Sequence, residues 1–273
     1  MADTLVAKSR VYRAEAIVLR RSNFGEADRL LTLLTRNAGK VRAIAKGSRR
    51  PTSRHSGNLE LFVHTELLLA RGRELDIVTQ SELHHPFRRL REDILSASHA
   101  YYLAEVTDAL LEPADPAPRP FALLLEAFTA LDAGRDPTLL AAHFLLQLLD
   151  ALGYRPELFA CLNCGTELRP VVNYLSPSQG GAFCPECGPR QPGSQPIAVD
   201  GLKLMRHLQR TDQLGGLVVA LPPGLAEQVD RLARAFAEHH IDRHLRSPEF
   251  ISRLRELGDR AAAILPNTVQ HVR

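Results

Sequence analysis

From Val11 to about Leu83 apolar and polar residues alternate with the two-residue period of β-structure. Tyr12, Ala14, Ala16 and Val18 fall on one side of the first run, and Arg13, Glu15 and Ile17 on the other. A compact Leu/Thr run over 29–35, a clean alternation over 40–46, and the stretches 59–69 and 75–83 complete five predicted strands. Asn37-Ala38-Gly39 and Arg71-Gly72-Arg73 supply the glycine of tight turns, which makes strands two and three, and strands four and five, antiparallel neighbours.

Five short antiparallel strands in this length are the size of a small closed barrel, of which the oligonucleotide-binding (OB) fold is the commonest nucleic-acid example. An SH3-like barrel fits the same count, and periodicity alone does not choose between them. After Pro86 the period becomes helical. Ile94, Ser98, Tyr101, Glu105 and Ala109 run along one side of a first segment; Phe121, Leu124, Leu125, Phe128 and Leu131 form the stripe of a second. Asp136-Pro137 is an N-cap followed by proline at the first helical position, opening a third helix that buries Leu139, Leu140, Phe144, Leu148 and Leu152 and closes at Gly153. Leu225, Val229, Leu232 and Phe236 mark a fourth helix, and Ile251, Leu254, Leu257, Ala261 and Leu265 a fifth. The proline-rich stretches 112–120 and 191–196 read as connectors. The pattern predicts an α+β multidomain chain without internal repeats: a barrel over 1–85, then a helical domain over 86–273 with a small module inserted at 159–190.

A length of 273 residues is ample for two cores and, with 45% hydrophobic residues, excludes a disordered or collagen-like chain. No apolar run approaches the roughly 18–20 residues that span a bilayer, and Met1-Ala2-Asp3-Thr4-Leu5 lacks the order of a secretory signal, so a cytoplasmic location is expected. The formal charge of +3 conceals a strong asymmetry. Up to Ser56 there are 13 Lys and Arg residues against four acids, a net of +9, which leaves −6 for the remainder. A localised excess of that size is the electrostatic footprint of a polyanion binder.

All four cysteines fall in one stretch, as Cys161-Leu162-Asn163-Cys164-Gly165 and Cys184-Pro185-Glu186-Cys187-Gly188, with 19 residues between the pairs. Each C-x-x-C turn brings two thiolates to one ion, and two such turns complete a tetrahedral site with no position left for water. The expected cofactor is therefore one structural Zn2+ in a zinc-ribbon-like module. Two disulfides are disfavoured in a reducing compartment, a redox C-x-x-C needs no second matched pair, and iron–sulfur clusters more often use other spacings. Arg169 and Arg190 are matched by Glu167 and Glu186, so the knuckle is a poor phosphate binder and is expected to staple the chain.

Other constellations carry less. His240 and His244 are four apart but lack the H-E-x-x-H pattern, and His84-His85 precedes Pro86 as a connector. No P-loop, G-x-S-x-G, kinase or Rossmann fingerprint occurs. Glu26 and Asp28, flanked by Arg20, Arg21 and Arg29, are more simply a surface charge network than a nuclease site.

On the third strand Lys40, Arg42 and Lys46 share one face while Val41, Ala43 and Ala45 take the other, so one side packs the barrel and the other meets phosphate. The following stretch carries Arg49, Arg50 and Arg54 in a turn-rich segment suited to tracking a backbone. Tyr12, Phe24 and Phe62 are the only aromatic residues before Phe87, fewer than a base-stacking single-strand binder offers. Lys40, Arg42, Lys46, Arg49, Arg50 and Arg54 are the first candidates for DNA contact, and Arg20 and Arg21 the second.

Glu15-Ala16-Ile17-Val18-Leu19-Arg20, Gly25-Glu26-Ala27-Asp28-Arg29-Leu30, Thr35 to Gly39-Lys40, Ala45-Lys46-Gly47-Ser48-Arg49-Arg50 and Asn58-Leu59-Glu60-Leu61-Phe62 resemble the N-terminal domain of the RecO family of bacterial recombination mediators. Leu149-Asp150-Ala151-Leu152-Gly153-Tyr154-Arg155-Pro156 leading into Cys161-x-x-Cys164, and Gly180-Gly181-x-x-Cys184-x-x-Cys187, are similar to that family's middle and zinc regions. The resemblance implies an OB barrel, a helical domain and a zinc module. It implies a DNA-binding, nucleoid-associated protein of the bacterial cytoplasm that makes and breaks no covalent bonds. Such a protein anneals complementary strands, including strands coated by single-strand-binding protein, and acts with RecR to help load RecA. The resemblance also implies contact with the acidic, phenylalanine-ended tail of single-strand-binding protein at an apolar pocket with a basic rim in the helical domain. Two competing classes remain: a zinc-containing nucleic-acid-binding regulator, which needs a basic reading element beside the cysteines, and a nuclease, which needs clustered carboxylates on the phosphate path.

Overall fold

A computed structural model describes residues 10–55, 57–212, 221–251 and 253–254. Five strands, β1 (Val11–Phe24), β2 (Asp28–Thr35), β3 (Gly39–Ala45), β4 (His64–Ala70) and β5 (Asp76–His85), form a closed barrel in the order β1-β2-β3-β5-β4. All neighbours are antiparallel except β3 and β5, whose short parallel seam pairs Ala43 with Asp76 and Ile44 with Ile77. This Greek-key closure is the OB arrangement. Both predicted hairpins form. At the β2–β3 turn Gly39 has φ 66°, and a Cβ there would lie 1.9 Å from the Asp115 carbonyl oxygen, so the close approach of the following loop requires glycine.

The expected strand over 59–69 is shorter than the pattern suggests. Residues 57–62 form turns and β4 begins only at His64, yet Leu59 and Val63 still fill the barrel interior. Phe62 has a left-handed φ of 70°, which throws its ring out of the barrel and into the helical core. It meets Tyr101 at 4.8 Å and Phe128 at 5.3 Å between ring centroids.

β1 carries a bulge. Val18 pairs with Leu33 and Arg20 with Thr32, so Leu19 is the extra residue. Before the bulge Ala14, Ala16 and Val18 point inward; without it Arg20 would share their face. With it, Arg20 turns outward into the cross-strand row Arg20–Thr32–Arg42.

The helices that follow include α1 (Arg88–Glu92), α2 (Ile94–Leu110), α3 (Pro118–Asp132), α4 (Pro137–Ala151), α5 (Val199–Arg210) and α6 (Leu225–His239). Asp136 caps α4 as expected, accepting from the Leu139 N–H at 2.8 Å. Every residue of α4 from Leu139 to Leu149 is buried, because α2, α3, α5 and α6 surround it. The stripe predicted on α2 is corrected in part: Ser98 is buried, but Ile94 and Tyr101 are exposed, and the buried face includes Ala100, Tyr102, Leu103, Val106 and Thr107. The α3 stripe is buried apart from Leu125. Ile251 is buried in a last helical stretch, whereas Leu257, Ala261 and Leu265 lie outside the described residues.

The inserted module contains strands β6 (Asn173–Ser176), β7 (Gly181–Phe183) and β8 (Gln195–Ile197) in the order β7-β6-β8. These strands carry too few residues to show a period; α5, which the sequence reading did not include, has a helical one, with Leu202, Met205 and Leu208 on its buried side. The proline stretches are not pure connectors: Pro118 opens α3, and Pro196 lies in the edge strand β8, which can dispense with an N–H. Two apolar clusters result. One fills the barrel; the other runs from α2 to α6 and takes in Leu175, Phe183 and Ile197 of the module together with Ile17, Leu19, Leu34 and Phe62 of the barrel region. None of the described helices is long and apolar enough to cross a membrane.

Candidate nucleic-acid interface and metal centre

The outward row on the barrel opens onto a groove of about 660 Å³ lined by residues of β1, β2 and β3, the β4–β5 turn, the end of α2 and Arg243. Seven cations line it: Arg20, Arg21, Lys40, Arg42, Arg71, Arg73 and Arg243. The carboxylates there are Glu74, Asp76 and Asp108. A concave surface with that imbalance concentrates field lines and attracts polyanions.

Of the eight basic residues singled out in the sequence, Arg20, Arg21, Lys40 and Arg42 are brought together in this groove. Their partners differ. Arg42 is exposed on β3, whereas Lys40 is mostly buried: its Nζ donates to the Asp108 carbonyl at 2.6 Å and lies 3.3 Å from Asp108 Oδ1. Arg21 is drawn to Glu60, which also pairs with Arg29 at 3.0 Å. Arg20 and Arg243 reach Asp108 Oδ2 at 3.4 and 2.8 Å. Burial pushes the Asp108 carboxyl up, but Arg243 and Lys40 outweigh it and hold the group below the usual carboxylate range.

Lys46, Arg49, Arg50 and Arg54 lie outside the groove, exposed on the loop from 46 to 55 at one end of β3. Gly47 N–H donates to Asp28 Oδ1 at 2.8 Å, and Arg49 donates to the carbonyls of Ala27 at 2.9 Å and Gly25 at 3.2 Å, which pins this loop to the β1–β2 turn. Asp28 is thus occupied in shaping the loop. Arg71, Arg73 and Arg243 were not singled out in the sequence: the first two were legible only as a turn, and Arg243 is carried to the barrel by tertiary packing. A smaller apolar recess of about 590 Å³ adjoins the groove, with Leu19, Leu61, Tyr101 and Phe250 on its walls and Arg20, Arg21, Arg243 and Arg246 around it.

The groove offers little for base stacking. Among its lining residues Tyr12 is the sole aromatic, its hydroxyl donates to Asp76 Oδ2 at 2.5 Å, and Arg71 covers its ring at 4.3 Å. Burial and the neighbouring Asp76 carboxylate both raise the Tyr12 pKa, which keeps the phenol protonated.

The four cysteine sulfurs lie within 4.8 Å of one another, with Cys164 Sγ and Cys184 Sγ 3.9 Å apart. Thiolates about 2.3 Å from a tetrahedral zinc stand about 3.8 Å from each other, so the cluster is consistent with a zinc site. Equivalent turns present both pairs: Gly165 N–H donates to the Cys161 carbonyl and Gly188 N–H to that of Cys184, each at 2.8 Å. Tyr174 packs so closely on Gly188 that a Cβ would sit 2.3 Å from its ring. Burial raises the Cys161 thiol, but backbone N–H donors from Cys184, Cys164 and Asn163 bring it down to about 6. Thr166 likewise lowers Cys164. The Asn163 amide favours the thiolate of Cys187, but the sulfurs crowded around it prevail and push that thiol up to about 11. Such a set favours sharing one cation.

His240 stacks on Tyr154 at 4.2 Å, while His244 turns to Glu249 at 3.3 Å, so the two share no ligand position. Among the described residues only the cysteines form a group of three or more metal-capable side chains within reach of one ion.

The family model described as "Recombination protein O N terminal" matches residues 10–87, and "Recombination protein O C terminal" matches 91–249. A "DNA repair protein RecO" of Roseiflexus sp. (strain RS-1) is 42% identical over 250 residues, covering 92% of this chain and 88% of the relative. Proteins of the same name from Symbiobacterium thermophilum and Nocardioides sp. are 37% and 38% identical, covering 90% and 89% of this chain and 98% and 100% of the relatives.

Proposed function

Since the chain belongs to the RecO family of DNA repair proteins, we propose that it is a non-enzymatic recombination mediator that anneals complementary single strands. In this reading it acts with RecR to help load RecA onto DNA coated by single-strand-binding protein. The observation that carries the reading is the basic groove on the barrel, rich in guanidinium groups and poor in rings. Two strands pair only if their backbone repulsion is neutralised while Watson–Crick edges stay free, and a surface that holds phosphate without stacking bases does both. Arg42 and Arg20 supply contacts within the groove, Lys46, Arg49, Arg50 and Arg54 extend them along the adjoining loop, and Lys40 and Arg21 act from beneath through Asp108 and Glu60.

Cys161, Cys164, Cys184 and Cys187 would hold one Zn2+ whose four thiolates fill its coordination sphere, so it would supply cohesion and no Lewis-acid position. The acidic, aromatic-ended tail of single-strand-binding protein is assigned to the recess beside the groove, where Tyr101 and Phe250 give apolar contact and Arg243 and Arg246 give charge.

The deciding experiment is annealing of complementary oligonucleotides with and without bound single-strand-binding protein. Acceleration in both conditions is expected, and no acceleration in either overturns the reading. A magnesium-dependent cleavage assay on single- and double-stranded DNA addresses the nuclease alternative, for which intact substrate is expected.

A further inference from the structure

Arg20 and Arg243 come from opposite ends of the sequence, and both reach the same carboxylate oxygen, Asp108 Oδ2. Their bonding nitrogens therefore stand at most about 6 Å apart, within the span of two donors on one phosphate group. Each guanidinium has five N–H donors, of which Asp108 occupies a small part. The Arg20 side chain is 66% exposed and that of Arg243 45%, and both line the groove. Lys40 differs: only 14% exposed, it is committed to Asp108 through both the carboxylate and the main-chain carbonyl.

We propose that Arg20 and Arg243 form a backbone-phosphate clamp that joins the barrel to the segment after α6, and that Asp108 is its positioning residue. The proposal rests on the DNA-binding reading above and deepens it by adding a contact, Arg243, from outside the barrel sequence. Two guanidinium groups this close repel; a carboxylate between them cancels that repulsion and fixes their planes. Three cations surround Asp108, and with Glu105, which also interacts with Arg243, counted beside it an excess of one positive charge remains to attract a phosphate monoanion.

Asp108 itself stays in place when phosphate binds. Its side chain is 6% exposed on a helix of 17 residues, and vacating its partners would leave a buried unpaired charge. It orients the arginines and does not compete with the ligand.

The test uses the full chain and a fluorescein-labelled single strand of mixed sequence, with affinity measured by anisotropy across a salt series. Arg243→Gln should weaken binding about five- to tenfold and reduce the log–log salt slope by about 0.7, while Lys40 and Arg20 stay on Asp108 and keep the chain folded at the assay temperature. Asp108→Asn adds a unit of positive charge, which by Coulomb attraction alone would tighten binding; the clamp requires weaker binding and a smaller slope. Tighter binding by Asp108→Asn overturns the positioning role. If that variant melts early, the Arg20→Gln and Arg243→Gln pair decides: losses that fall short of additivity support a shared phosphate, and fully additive losses overturn the clamp. Arg42→Gln with Arg49→Gln separates the two levels. If they weaken binding while Arg243→Gln does not, the clamp fails alone; if none of these variants weakens binding, the barrel interface fails with it.

Discussion

The Arg71 guanidinium lies 4.3 Å above the ring centroid of Tyr12 and covers the one aromatic face that the groove contains. A cation seated on a ring is favourable in its own right and also denies that ring to a nucleobase. Affinity for dA and dT homopolymers should therefore agree within about threefold, since stacking contributes about 1–3 kcal/mol per base where it occurs. A 2-aminopurine reporter should keep its free-strand fluorescence on binding, and strong quenching would place bases against protein.

Charge reversal separates the exposed cations from the committed ones. Arg42→Glu with Lys46→Glu should lower the salt slope by about 1.4 or more for a single strand, given about 0.7 per phosphate, and should slow annealing while leaving thermal stability intact. Lys40→Glu should instead destabilise the fold, because it sets a second carboxylate against Asp108 in a mostly buried position. Melting curves of the two variants, run beside salt titrations, check both halves.

Removal of zinc should act on stability before function. Cys161 is buried against the same apolar cluster that holds Leu175 and Phe183, so the loss of metal loosens the three-stranded sheet and the helices beneath it. A loss of about 5 kcal/mol, well below the apparent binding free energy of a four-thiolate site, lowers the melting temperature by about 10–20 °C. Cys164→Ser or chelation should produce that shift together with reduced solubility. Loss of DNA affinity with an unaltered melting curve would move the module into the interface.

Acidification should destabilise the chain in two stages. Burial lowers the pKa of His143 and of His64. The unfolded chain therefore takes up these protons first, and the stabilisation, complete above about pH 6.5, is lost as pH falls through the depressed folded values. His143 donates from Nε2 to the Thr211 carbonyl at 2.7 Å and leaves Nδ1 buried without a partner, so protonation there creates a donor with no acceptor. Glu15, lowered chiefly by its bond to Arg36, and Asp108 follow the same sign from about pH 4 downward. Melting temperatures between about pH 8 and pH 5 should fall, and His143→Gln should flatten the first stage.

Periodicity exposed the barrel because its strands have one face on a core, and spacing exposed the cysteine cluster because four thiols in two C-x-x-C turns have few uses other than metal binding. Periodicity failed where tertiary contact overrides local pattern. The bulge at Leu19 reverses the facing of Arg20 with no local signal, since Leu19 only becomes apolar-buried when helices cover the outer face of β1. The stripe assigned to α2 followed Ile94 and Tyr101, but that helix is enclosed on most sides and leaves those two outside. The outward register of Lys40 was legible from the alternation, but its partner was not: the carbonyl to which it donates lies 68 residues away.

Phe62, Leu19 and Ile17 belong to the barrel segment by sequence but to the helical cluster by packing. Cleaving the chain near Pro86 would strand these side chains in water on one fragment and strip Phe121 and Phe128 of their cover on the other. The protein is therefore poorly suited to cassette-style dissection: fragments would tend to self-associate through surfaces never meant for solvent. Recombinant halves would report on stickiness, not on how the intact molecule divides its labour.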